Sequence, residues 1–407
     1  MHHQRLVVTG GVDTHGDVHV AAVLDPVGRV LATGSFPATT AGYRQLLSWL
    51  CRHGRVVQVG VEGTGSYGAG LARHLARHGV AVVEVNRPDR QARRRRGKSD
   101  TVDAIAAARA ALSGDATATP KTGDGIVETI RSLQVARRSA VKARTQAGNQ
   151  IRDLIVTAPD DLRAQLKGLN TVNRVAACAR FRPGDYTDPT EGLRHALRHL
   201  ARRWQALDVE ITELDGALKM LTARANPALV AARGVGHEVA AALLVTAGDN
   251  PQRMQTEASF AALCGVSPIE ASSGKTIRHR LNRGGDRRAN NALWRIIMVR
   301  LQHDERTKAY VERRTAEGLS IREIIRCLKR AVAREMFRLL TNPPAVPNGA
   351  DLRTARNTAG ISLAVVAEQL GTWPTRISQL ERGLQHDLDL ATRYQTWLNT
   401  KIPAIAA

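Results

Sequence analysis

The stretch LVVTGGVDTHGDVHVAAVLD, residues 6–25, decides how the first part of this chain folds. It reads as two apolar, β-rich runs, and Asp13 closes the first of them. Working outward, Gly10-Gly11, Asp25-Pro26 and Pro37 act as punctuation, and the pattern predicts strands at 5–13, 18–25, 29–36, 56–62 and 81–86. Helices are expected at 41–53, 66–78 and 100–113. Three more carboxylates fall at element ends. Glu62 ends the run in VVQVGVEGTGS (56–66), and Asp100 and Asp103 open SDTVDAIAAARAAL (99–112).

A meander of three strands followed by alternating helix and strand is the order of a ribonuclease-H-like (RuvC-like) α/β domain. That order sets the first and fourth strands side by side, so Asp13 is expected near Glu62. Asp100 and Asp103 share one helix face by their spacing. Taken singly, an Asp at a helix start is more often a cap or a partner of the helix dipole. All four arriving at matching element ends argues for a gathered set. Gathered carboxylates repel and are costly to desolvate, so a fold that collects them ordinarily holds a hard cation there. Two magnesium ions about 4 Å apart serve phosphodiester cleavage, with manganese as the alternative ion.

Composition narrows the partner. Net charge is +22, from 59 Lys+Arg against 37 Asp+Glu, which favours a polyanion through counterion release. Aromatic residues are only 3%, so backbone and shape contacts should outweigh base stacking. The run RPDRQARRRRGKSD (87–100) places Arg93, Arg94, Arg95, Arg96 and Lys98 directly before the third helix, as a substrate-gripping loop. A charge run is otherwise a solvated loop. The four cysteines form no CxxC pair, so they read as buried thiols in a reducing cytosol and not as a zinc site. The longest apolar stretch of this kind, AAALLVTAG at 240–248, is too short to span a bilayer, and MHHQRLVVTG lacks a signal-peptide core. A cytoplasmic bacterial protein associated with the nucleoid, with no membrane partner, is expected.

Four segments follow from these patterns: a catalytic α/β domain over 1–118, a helical coiled-coil stalk over 119–226, a mostly α C-terminal domain over 227–342 and a small all-α tail over 350–400. In the stalk, no acidic residue lies between Glu128 and Asp153, while Arg137, Arg138, Lys142 and Arg144 suggest a nucleic-acid rail. A heptad seam runs from Leu193 through Trp204 to Leu221. It suits pairing with the basic helix of the same chain or with a second subunit, and self-association is the favoured outcome. ARGVGHEVAAALLVTAGD (232–249) is like a helix-hairpin-helix element, whose glycine turn offers backbone N–H groups to phosphate.

The C-terminal domain carries a second constellation, FAALCGVSPIEASSGKTIRHRLNRGGDRRANNALW (260–294). Ser272 and Ser273 sit in a polar loop followed by Lys275, Arg278 and Arg280. Arg283, Arg287 and Arg288 come next. A serine hydroxyl can attack phosphorus when cations match the charge that develops. A Ser-Ser-Gly loop is generic, and the residues alone do not choose between the two hydroxyls.

Over residues 5–340 the chain resembles the DEDD transposases of bacterial insertion sequences, the family that includes the pilin-gene site-specific invertase. The resemblance rests on GVDTHGDVHV, VGVEGTGSYG and KSDTVDA in the first half, and on GVGHEVAAALL, FAALCGVSPIEASSGK and RHRLNRGGDRRANNALW in the second. It implies a composite centre: Asp13, Glu62, Asp100 and Asp103 with magnesium, joined by the serine preceding the glycine, Ser273, as a nucleophile forming a phosphoserine link to DNA. It also implies a structured guide RNA that pairs with donor and target DNA, and assembly as a dimer or a dimer of dimers.

One segment departs from that family. LRTARNTAGISLAVVAEQLGTWPTRISQLERGL (352–384) is similar to a repressor/Cro-type helix-turn-helix, with Thr375, Arg376, Ser378 and Gln379 able to face a major groove. Two other functions remain to be weighed: a hydrolytic nuclease of the same fold that does not need the serine, and a DNA-binding regulator without catalysis.

Overall fold

The computed structural model describes residues 6–85 and 99–401, in two compact units: residues 1–125 with 247–256, and 126–246 with 257–407. The basic run with Arg93, Arg94, Arg95, Arg96 and Lys98 lies outside the described residues.

In the first unit, strands β1 (Val7–Thr14), β2 (Val18–Leu24), β3 (Val30–Pro37), β4 (Arg55–Glu62) and β5 (Ala81–Val85) form one sheet in the order β3-β2-β1-β4-β5. β1 pairs antiparallel with β2 and parallel with β4, and the register sets Val12 opposite Val61. The next residues along, Asp13 near the end of β1 and Glu62 at the end of β4, are therefore carried side by side. Helices α1 (Thr40–His53) and α2 (Ala69–Arg77) cover one face of the sheet, burying Leu46, Leu50, Leu71 and Leu75 against Val8, Val12, Val59 and Val61. Helix α3 (Asp100–Ser113) covers the other face, where Ala104 packs with Val20 and Ala22.

The seat of α3 is made by two glycines. Gly10-Gly11 does not punctuate the first strand as expected, because both residues lie inside β1. A Cβ on Gly11 would stand 2.1 Å from the Ala108 nitrogen and 2.3 Å from the Ala104 oxygen. One on Gly60, in the neighbouring strand, would stand 2.4 Å from the Ala107 oxygen. The paired glycines let the alanine face of α3 lie directly on the sheet, which brings the start of that helix toward the strand ends. Neither neighbour can yield, since both are helix backbone. We expect Gly11→Ala to lower stability by about 3 kcal/mol, at the upper end for overpacking. Gly65→Ala, where nothing lies within 4 Å, should be near neutral. Denaturant unfolding gives both values, and equal stability in the two variants would refute this account.

In the second unit, Ile126–Val156 and Pro189–Ala225 pack along one another as long helices. Part of the heptad seam packs within the chain: Leu197, Ile211 and Leu218 are buried while Leu193, Leu207 and Leu214 stay half-buried, and Ile151 and Ile155 join Leu197 and Ala201 in one cluster. A Cβ on Gly148, in the facing helix, would meet the Trp204 ring at 3.5 Å, an ordinary van der Waals contact. Further helices follow at His237–Ala247, Glu257–Leu263, Arg287–His303 and Ile321–Thr341. The tail has helices Gly349–Thr358, Leu363–Gln369, Pro374–Glu381 and Leu388–Lys401 around a core of Val366, Leu370, Ile377, Leu380 and Tyr394. A buried ion pair stabilises that core: Arg356 donates to both Glu381 oxygens at 2.7 and 3.0 Å, and the Tyr394 hydroxyl donates to the same carboxylate at 2.7 Å. No helix among the described residues is long and apolar enough to cross a membrane.

Candidate metal centre and serine hairpin

Asp13 occupies the penultimate position of β1 and is buried, and Thr14 after it donates its hydroxyl to the Glu62 carbonyl at 2.8 Å. That bond ties the two strand ends together where their carboxylates emerge. Ser99 caps α3 by accepting from the Val102 amide at 3.3 Å, so Asp100 and Asp103 lie in its first turn. Asp103 is buried and Asp100 exposed. Burial pushes the Asp13 carboxyl above its usual range, His15 pulls it back, and the nearby charges of Asp103 and Asp100 push it up again. Asp13 therefore feels the charge of two acids brought from a distant part of the sequence. Asp13 and Glu62 are joined through strand register, and Asp13 and Asp100 through proximity.

The residue that the sequence reading missed is His15. Its Nε2 stands 3.2 Å from Asp13 Oδ2 and 3.4 Å from Asp100 Oδ1. One donor atom from each of Asp13, His15 and Asp100 lies within 4.8 Å of the others. The only hint in the sequence was the place of His15, two residues past Asp13 where the strand ends. A buried carboxylate and an exposed one, mutually repelling, beside an imidazole nitrogen are a donor set that fits a divalent cation.

The serine loop is a tight hairpin. Ile269–Glu270 pairs with His279–Arg280, and Ser273 and Thr276 exchange both backbone bonds at 3.1 Å. Gly274 at the tip has φ +56, a left-handed conformation that suits glycine in such turns. The hairpin separates the two hydroxyls. Ser272 Oγ accepts from the Arg278 amide at 3.2 Å and is spent on the ribbon. Ser273 is exposed at the tip, and its hydroxyl has no partner among the described residues.

With this geometry in view, comparison with known proteins is decisive. Residues 10–158 match the DEDD transposase family of IS110, described as Transposase, and residues 227–312 match the Transposase IS116/IS110/IS902 family. The chain belongs to the IS110 family of DEDD transposases. It is also similar to the "Insertion element IS110 uncharacterized 43.6 kDa protein" of Streptomyces coelicolor, 29% identical over 167 residues. That match takes in 41% of this chain and only 38% of the relative.

The basic residues of this IS110-family chain sort into two kinds. Arg137 is bound to Asp215 and Glu238, which hold its guanidinium firmly charged, the Asp215 bond most of all. Arg144 is paired with Asp208 and lies over the Trp204 ring. The neutralising acids come from the partner helix and from Glu238, so the rail looked barer in sequence than it is in the fold. Arg138 and Lys142 have no ion pair among the described residues. Arg138, Arg287 and Arg288 meet in a cavity of about 280 Å³ over Leu218, Val239 and Ala242, where Arg295 is paired with Glu238 at 2.6 Å. Burial lowers the Arg138 pKa, and the neighbouring Arg288 charge lowers it further. Lys275, Arg278, Arg280 and Arg283 are exposed on or just after the serine hairpin. In the tail, Thr375 and Gln379 are exposed and Ser378 is half-buried, whereas Arg376 donates to buried Asp387 at 2.5 Å. Two of the four cysteines, Cys51 and Cys327, are exposed, which corrects the expectation of buried thiols. Cys178 and Cys264 are buried, and burial pushes their thiols up to about 11 and about 12.

Proposed function

We propose that this chain is the transposase of an insertion element: a site-specific recombinase that cuts and rejoins DNA at a composite centre of DEDD carboxylates and Ser273. The observation that carries the proposal is the convergence of Asp13 and Asp100, beside Glu62 at the neighbouring strand end, in a chain of this family. The first unit is read as a ribonuclease-H-like (RuvC-like) domain over 1–118. It is followed by a stalk over 119–226, a serine-bearing domain with a helix-hairpin-helix-like element over 227–342, and a helix-turn-helix over 350–400.

Asp13, Glu62, Asp100 and Asp103 would hold the cation, magnesium by preference because the donors are mostly carboxylate oxygens. When bound, the metal supplies charge neutralisation to a phosphate oxygen and to the leaving group. The protein's own residues do the rest. The strand ends hold Asp13 and Glu62 in fixed register, and the α3 seat holds Asp100 and Asp103. Ser273 offers its Oγ to phosphorus; as the Oγ–P bond forms, the bond from phosphorus to one sugar oxygen breaks, and the serine proton passes to that oxygen. The resulting phosphoserine ester keeps the bond energy for rejoining. The free hydroxyl of Ser273, against the engaged one of Ser272, supports this assignment. A denaturation-resistant protein–DNA adduct is the experiment that tests the proposal.

For the partner we propose DNA at element ends and target, together with a structured guide RNA, bound by a dimer or dimer of dimers. The arginine cavity supports a phosphate grip: Arg138, Arg287 and Arg288 bring cationic groups from two separate elements to one place. We expect Arg138→Gln and Arg288→Gln each to weaken nucleic-acid binding about equally across sequences. Each should also lower the slope of log affinity against log salt by about 1. An unchanged slope would remove these two residues from the interface.

A further inference from the structure

His15 is placed where a ligand would be: its Nε2 is hydrogen-bonded to Asp13 and faces Asp100, two of the four acids that define the family. We propose that His15 Nε2 is itself a ligand of the divalent cation, making one position of the centre a mixed nitrogen–oxygen site. The inference presupposes the cation-dependent centre and adds to it the identity of one donor.

Three observations carry it. First, the separations suit a shared ion. Donors about 2.1 Å from an octahedral cation and adjacent to one another lie about 3 Å apart, and Nε2 is 3.2 Å from Asp13 Oδ2 and 3.4 Å from Asp100 Oδ1. Second, the ring is carried on an anchored support, because Thr14 just before it is bonded to the Glu62 carbonyl at 2.8 Å. Third, access is open: the His15 side chain is 50% exposed and that of Asp100 53%, while Asp13 is almost covered at 10%. A cation could enter from the solvent side and find the imidazole and Asp100 first and the buried carboxylate last. An imidazole nitrogen is bound better by first-row transition ions than by magnesium, so His15 should raise Mn2+ affinity relative to Mg2+.

Pulsed EPR of the full-length protein loaded with Mn2+ alone is the test. The chain has 13 histidines, so the nitrogen signature must be assigned by substitution. We expect nitrogen coupling to bound Mn2+ in the wild type, shifted by 15N-histidine labelling and absent in His15→Gln. Mn2+ affinity of His15→Gln should fall at least about 10-fold, with a smaller change for Mg2+. His15→Asp should regain Mn2+ affinity without the nitrogen coupling, which guards against a folding defect. Coupling that survives in His15→Gln, or a wild type whose bound Mn2+ shows none, overturns the proposal; so does tighter Mn2+ binding by His15→Gln, the mark of a histidine that only bridges the two acids. If the wild type binds no Mn2+ that Asp13→Asn removes, the cation-dependent centre fails too, and that result is distinct from the others.

Discussion

Ser273→Ala should abolish covalent capture of DNA completely, while Ser272→Ala retains it within a few-fold. The asymmetry follows from the hairpin. Ser272 contributes one exposed hydrogen bond to the ribbon, worth no more than about 1 kcal/mol, and the strand pairs on either side of it remain. Ser273 contributes little to the fold, since its hydroxyl has no partner among the described residues and its backbone bonds persist in alanine. Adduct formation, read as protein-linked DNA after denaturation, thus separates chemistry from stability. It also separates the competing functions. A hydrolytic nuclease of the same fold would cut with either serine replaced and leave hydrolysed ends. A DNA-binding regulator would bind and never cut. Equal loss in both variants would point to damage to the hairpin, and equal retention would end the case for a serine nucleophile.

The second large effect is at the acids. Asp13→Ala and Glu62→Ala should each cost at least about 10³-fold in cleavage, since a metal's charge stabilisation of the transition state is worth several kcal/mol. Nucleic-acid binding should stay within about threefold, because the free basic groups lie elsewhere in the chain. Stability supplies an independent readout. The metal-free wild type carries Asp13 with its carboxyl raised by burial and by Asp103 and Asp100, so its charge burdens the folded state. An acid raised in this way costs stability above its folded-state pKa, and Asp13→Asn should therefore unfold no earlier than the wild type without metal. Added Mg2+ should then raise the wild-type melting temperature through binding linkage and leave Asp13→Asn unmoved. Loss of DNA binding in a folded Asp13→Ala protein would show that the acids do something besides catalysis.

Much of this was legible before any coordinates. The strands and helices around the acids follow from apolar runs ended by turn residues, and observed bounds differ from the expected ones by a few residues at most, as at α2, which starts at Ala69. The neighbouring positions of Asp13 and Glu62 follow from strand order, because a parallel pair carries equivalent ends to the same side. Other features were not legible, for one shared reason: each is a contact between residues distant in the chain. The missing Cβ of Gly11 matters only because the α3 backbone lies against it. Arg137 and Arg144 resemble free cations until Asp215 and Asp208 arrive from the other long helix. The seam from Leu193 to Leu221 shows an apolar face, and its partner within the chain is a matter of packing.

Residue type and order alone therefore settled which groups could do chemistry: clustered carboxylates at strand and helix ends, a serine before glycine, and an excess of arginine. Periodicity and charge are local properties, readable one segment at a time. The tertiary structure decided which of those groups meet. It set His15 between Asp13 and Asp100, left Ser273 free while engaging Ser272, and gathered Arg138 with Arg287 and Arg288. Distances of 3–4 Å between side chains arise from how elements pack, and no single segment contains that information.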